Sequence, residues 1–157
     1  MSQTITPAPI RKTLTVRAAP EKAWTVFTDG INRWWPKTHH IGPSPLVGAV
    51  IEPRAGGRWY GAHEDGIERP WGRVLVWEPP KRLVLDWQIS HEWGFDPDLH
   101  TDVEVVFTAL GEAETRIDFE HRGLERFGDS QKAVETRTSM TRGWDAILES
   151  YRAAADS

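Results

Sequence analysis

The sequence predicts an α+β fold in which a curved antiparallel sheet of about six or seven strands wraps on a long C-terminal helix, with two short helices between strands 1 and 2. Three observations carry this. Stretches of alternating polar and apolar residues follow one another through Gly- and Pro-containing turns from Val50 to His121. The closing stretch, Asp129 to Ala155, has no proline and sets Met140, Trp144, Ile147, Leu148 and Tyr151 at helical spacing. The 157 residues also match the length of one domain, 1–157, with a core over about 10–155.

Each element has a local reason. Ile10 to Arg17 alternates Ile10, Leu14 and Val16 with polar neighbours and is rich in β-branched residues, so it reads as the first strand. Pro20 opens a short helix with Ala23, Trp24 and Phe27 on its buried face, and Asp29-Gly30 closes it. A second helical piece, Ile31 to Trp35, stops at Pro36. From Lys37 to Gly48 the prolines and glycines predict a surface loop, with strands resuming at Val50. Arg54-Ala55-Gly56-Gly57 is a hairpin turn into a strand from Arg58 to His63. Trp71 to Trp77 and Arg82 to Ile89 form the next hairpin, through Glu78-Pro79-Pro80-Lys81. After a polar, aromatic loop from Ser90 to Leu99, Thr101 to Leu110 and Thr115 to His121 complete the sheet. Asp129 or Ser130 is positioned to cap the last helix. A helix gripped by a curved sheet leaves a gap, and such gaps hold small apolar ligands.

Composition excludes several classes. With no Cys, disulfides, zinc thiolates and iron–sulfur clusters are ruled out. A net charge of −4 with scattered Lys and Arg gives no footprint for nucleic acid. The opening MSQTITPAPI lacks a basic region followed by an apolar run, and no stretch is long and apolar enough for a membrane span, so a cytoplasmic protein is expected. His91-Glu92-Trp93-Gly94-Phe95 lacks the second His of a zinc-protease helix, and the Asp96, Asp98, His100, Asp102 alternation is broken by Pro97, so no metal and no cofactor are expected. No Gly-x-Ser-x-Gly elbow is present either.

Several runs together resemble the family of homologues of the activator of heat-shock-protein ATPase. They are Ala19-Pro20-Glu21-Lys22-Ala23-Trp24, Arg33-Trp34-Trp35-Pro36, Arg54-Ala55-Gly56-Gly57-Arg58-Trp59, Gly72-Arg73-Val74, Pro80-Lys81-Arg82-Leu83-Val84-Leu85-Asp86-Trp87 and Gly143-Trp144. They occur in the family's order and span Leu14 to Tyr151. That family sits in the superfamily of helix-grip folds with START domains, polyketide cyclases and birch-pollen allergens. The resemblance implies a hydrophobic cavity between sheet and helix, with no reaction attached. Ser90 to His100 is not dictated by the pattern. A chaperone partner or a homodimer is a further implication, weakened because the separate amino-terminal region of the family's co-chaperones has no counterpart here.

Nine Trp against two Tyr supply the candidates for the gap. On the alternation, Trp59 and His63 share a face, as do Leu85 and Trp87, while Phe107, Phe119 and His121 face inward from the last hairpin. Trp35, Met140 and Trp144 join them from the helices. These ten are the expected ligand-binding set, with filling of the core as the alternative role. His63 and His121 are the candidate acid–base residues, since imidazole titrates near neutrality; structural hydrogen bonding is the alternative. His39-His40 is expected to face solvent. Trp71 and Trp77 are expected on the outer face with Arg73 and Leu75, available for partner contact or surface cover. The readings in order are a domain binding a small hydrophobic or aromatic ligand, a regulatory interaction protein, and a cyclase- or hydrolase-type enzyme.

Overall fold

In the computed structural model, which describes residues 8–128 and 130–157, the chain forms β1 (Ile10–Val16), α1 (Pro20–Phe27), α2 (Ile31–Trp34) and β2 (Leu46–Ile51). Then follow β3 (Arg58–His63), β4 (Glu68–Glu78), β5 (Arg82–Trp87), β6 (Thr101–Gly111), β7 (Glu114–Arg122) and α3 (Gln131–Asp156). A single 3₁₀ turn, Leu124–Phe127, joins β7 to α3. All neighbours in the seven-stranded sheet are antiparallel, in the order β1-β7-β6-β5-β4-β3-β2. Strands β2 to β7 are a meander, and β1 returns to pair with β7. The two short helices carry the chain from that edge to the other, and the curled sheet grips α3. This is the helix-grip fold. No helix among the described residues is long and apolar enough to cross a membrane.

Hydrogen bonds lock the helices together. Tyr151 donates to the Ala23 carbonyl (2.8 Å), and Ser150 donates to that of Trp34 (2.5 Å), fixing α3 against α1 and α2. Ser130 Oγ accepts from Ala133 N–H at 3.1 Å and caps α3; Asp129, the other expected cap, lies outside the described residues. On the convex face, Arg82, Glu104, Arg122, Glu120 and Arg11 form a ladder of ion pairs from β5 to β1.

Two register shifts in β4 correct the outward placement of Trp71 and Trp77. Trp59 pairs with Gly72 but Tyr60 pairs with Pro70, so Trp71 is an extra residue and points inward beside Gly72. A second shift leaves Leu75 extra between Val74 and Val76. Trp77 then shares the inner face with its partner Leu83 and packs edge-on against Trp24, ring centroids 5.0 Å apart. Trp71 is 1% exposed. Smaller differences are at strand ends: β2 begins at Leu46, inside the expected loop, and β5 ends at Trp87, beyond which Ile89 only bridges to Phe95.

The interior divides into two aromatic groups. Trp24, Phe27, Trp34, Trp77, Phe107 and Tyr151 interlock where α1 and α2 cover the sheet. Trp35, Trp59, Trp71, Trp87, Trp144 and Phe119 form the other, and Trp34 touches Trp35 at the junction, 6.0 Å between centroids. Burying such rings removes roughly 150–250 Å² each from water, so these groups contribute a large share of the buried apolar area.

Candidate functional site

The second aromatic group does not close on itself. Between the α2–β2 connection, strands β4 and β5 and the middle of α3 lies a cavity of about 280 Å³. Five Trp contribute to its wall: Trp35 after α2, Trp71 on β4, Trp87 on β5, Trp93 in the following loop and Trp144 on α3. On α3, Ser139, Gly143 and Ile147 succeed one another at one-turn intervals, beside Met140 and Trp144, so two adjacent ridges of one helical face form a side. Gly143 keeps that side open, since a Cβ there would find nothing closer than His39 Cδ2 at 4.0 Å.

The adjoining side is the connection 38–41. Trp35 donates its indole N–H to the His39 carbonyl (2.8 Å) and Ile41 is buried, so the segment folds back instead of crossing the surface. His39 and His40 therefore line the cavity half-buried, which corrects their expected solvent exposure. Burial holds the pKa of His39 below the ordinary imidazole value. Its Nδ1 lies 3.1 Å from Thr38 Oγ1. His40 Nδ1 lies 3.2 Å from the Ile41 carbonyl oxygen; a carbonyl only accepts, so this nitrogen carries the hydrogen and Nε2 is left with its lone pair. Thr38, His39, His40 and Ser139 are the polar side chains of an otherwise apolar wall, and no carboxylate or Lys/Arg cation lines it.

The ten residues expected from the alternation divide between wall and backing. Trp35, Trp87, Met140 and Trp144 line the cavity. Trp59 lies behind Trp71 and Trp87, at 5.5 Å between centroids from each, and Phe119 lies behind Trp144 at 4.6 Å. Leu85 is core, and Phe107 belongs to the other aromatic group against Trp24 and Phe27. His63 is buried outside the wall, with Nδ1 2.7 Å from the Ser44 carbonyl and its ring 5.3 Å from that of His40.

His121 is fully buried behind Trp144 and both ring nitrogens are engaged. Its Nδ1 accepts from Trp144 Nε1 (3.1 Å), while Nε2 lies 2.9 Å from Thr101 Oγ1. Thr101 in turn donates to the Trp87 carbonyl (2.8 Å), so it accepts from Nε2–H. Desolvation lowers the His121 pKa to about 3. A neutral imidazole with both nitrogens spoken for is a structural bracket between sheet and helix.

Residues the alternation did not nominate complete the site: Trp71, which only a bulge turns inward, and Thr38, His39, His40 and Ile41, which tertiary contacts fold onto the cavity. Ile41, an apolar residue between His40 and Gly42 in a polar loop, is the sequence signal that could have marked this segment. The acidic alternation at 96–102 is resolved differently: Asp98 N–H donates to Asp96 Oδ1 (2.9 Å), and His100 Nδ1 donates to Asp86 Oδ2 (2.6 Å). No group of three or more potential metal ligands occurs among the described residues.

An aromatic cavity between a curled sheet and its gripped helix invites comparison with other proteins of this architecture. No curated protein matches the sequence. Among solved structures, the anthrahydroquino-γ-pyrone synthase Txn09, complexed with SUM, is 35% identical with a TM-score of 0.61 over 87% of this chain and 88% of that one. CalC, a self-sacrificing resistance protein from Micromonospora echinospora, is 30% identical with a TM-score of 0.71 over 94% of each chain. The Aha1 dimer from Colwellia psychrerythraea, 17% identical with a TM-score of 0.63 over 96% and 97%, shares the fold. The family model of the activator of Hsp90 ATPase homolog 1-like protein matches residues 17–155, nearly the whole gripped-helix unit. The chain therefore belongs to the activator of Hsp90 ATPase homolog 1-like family.

Proposed function

We propose that this protein binds a planar aromatic small molecule in the cavity between sheet and α3. The observation that carries this reading is the cavity itself, about 280 Å³ with five Trp in its wall. That size is near the lower end of ligand pockets, roughly 300 Å³. Indole faces stack on flat rings at a gain of about 0.5–1.5 kcal/mol per pair beyond area burial. With no cation or carboxylate on the wall, a neutral ligand fits better than an ionised one. One relative, 35% identical, points the same way, being named an anthrahydroquino-γ-pyrone synthase. The alternative of a partner-binding surface built on Trp71 and Trp77 loses its anchors, since both rings pack inward.

Titration of Trp fluorescence with hydroxynaphthalenes and anthraquinones tests the reading. A saturable quench, lost when Gly143→Leu fills the cavity, is the expected result. A linear, unsaturated response to every compound, or an unchanged response in Gly143→Leu, rejects it.

A further inference from the structure

The ionisable side chains of the cavity wall are two consecutive imidazoles, His39 and His40. They differ in what they can offer. His40 keeps its Nδ1–H on the Ile41 carbonyl, which leaves Nε2 as a bare acceptor. His39 has Nδ1 against the Thr38 hydroxyl; when that hydroxyl donates, Nε2 carries the hydrogen and is a donor. Among the described residues neither Nε2 has a protein partner. Behind His40, the His63 ring meets it edge to face at 5.3 Å, with its own Nδ1–H held by the Ser44 carbonyl. With the Thr38 hydroxyl donating, two adjacent wall residues thus supply one base and one hydrogen-bond donor to a Trp-lined pocket, a pair that assists enolisation of a ketone.

We propose that His39 and His40 form a proton-transfer site acting on an aryl-fused ketone held against the Trp wall, with His40 Nε2 as base and His39 Nε2–H as donor to the carbonyl oxygen. The step balances without a co-reactant. The C–H bond next to the carbonyl breaks, its electron pair forms the C=C bond, and the carbonyl π pair moves onto oxygen beside His39. The proton rests on His40 as imidazolium and returns to carbon, or to oxygen, restoring the neutral ring. Burial of His39 favours its neutral, donor-capable form over a cation. The inference rests on the binding reading above and adds a reaction class to it.

β-Tetralone, an enolisable bicyclic ketone, serves as the probe. In deuterium oxide, proton NMR follows loss of its C1 protons, which lie between the aryl ring and the carbonyl, with the C4 protons as the unexchanged reference, and Trp quenching follows binding in the same samples. Wild type is expected to exchange them faster than an equal concentration of free imidazole, saturating where the quench saturates. His40→Gln is expected to lower the saturated rate about tenfold or more. Gly143→Leu, whose side chain would fill the cavity beside His39, is expected to return the rate to that of free imidazole. Quenching with exchange no faster than imidazole, or an unchanged saturated rate in His40→Gln, overturns the proton-transfer site alone. Absence of any quench by β-tetralone overturns the proton-transfer site, and the binding reading falls with it only when the hydroxynaphthalenes and anthraquinones also give no saturable quench.

Discussion

Trp144 on α3 donates its indole N–H to Nδ1 of His121 on β7 across 3.1 Å, and the bond lies wholly inside the protein. The chain of donors continues through Thr101 to the Trp87 carbonyl, so helix, β7, β6 and β5 are tied by bonds running in one direction. Both ends of the chain, Trp144 and Trp87, are cavity walls. The bracket that stabilises the fold therefore also sets the width of the cavity.

A pH dependence follows from this bracket. Unfolded His binds a proton below about pH 6.5, whereas His121 stays neutral in the folded protein down to about 3. Between those values the unfolded state holds the extra proton, so stability falls as pH drops, approaching ~1.4 kcal/mol per pH unit. The lowered pKa of His39 acts in the same direction. Urea unfolding of wild type and His121→Gln checks this. The variant is expected to be ~2 kcal/mol less stable at neutral pH, because Trp144 and Thr101 lose ideal partners. The gap should narrow toward pH 5; a gap that stays constant shows that His121 is not the titrating group.

Gly143 separates stability from binding. It lies inside α3 with no atom within 4 Å of a built Cβ except His39 Cδ2 at that limit. Gly143→Ala is expected to stabilise the protein by ~0.5–1 kcal/mol in thermal unfolding, through helix propensity and a restricted unfolded chain. Gly143→Leu is expected to keep the fold and lose aromatic binding about tenfold or more, as read by fluorescence titration.

Gly72 is a position where only hydrogen fits. A Cβ there would stand 1.5 Å from the Asp86 carbonyl oxygen, a backbone atom of β5 that cannot turn aside. Gly72→Ala is expected to cost at least ~3 kcal/mol or to abolish soluble expression. An unfolding free energy within ~1 kcal/mol of wild type would show that the β4 bulge shifts freely, against the packing described here.

Trp93, at the cavity mouth, has φ of 60° and is 43% exposed. A non-glycine residue in this left-handed region carries strain of order 1 kcal/mol. Trp93→Gly and Trp93→Ala both remove the ring, and both are expected to weaken aromatic binding by a similar factor. Only the glycine variant relaxes the backbone, so it is expected to be ~1 kcal/mol more stable than the alanine variant in urea unfolding. Equal stabilities would mean that the loop holds no strain at this residue.

Much of this protein was legible from local pattern. The period of α3, the hairpin turns, the two short helices after β1 and the inward faces of β5, β6 and β7 follow from spacing and turn chemistry, because those contacts depend on residues a few positions apart. Leu85, Trp87, Phe119 and His121 accordingly point where the alternation puts them. The same pattern could not separate wall from backing: Trp59 and Trp87 sit on inner faces, yet only Trp87 borders the cavity.

The sequence by itself determined the fold class, the order of its elements and the concentration of Trp along the interior. Tertiary structure alone decided which Trp face the cavity and which histidines join them. One extra residue in β4 reverses the side a Trp takes, and that insertion is defined by pairing with β3, not by β4's own residues. His39 and His40 reach the wall because Trp35 and the buried Ile41 pull their loop inward. Both outcomes rest on contacts between segments, where alternation within a segment carries no information.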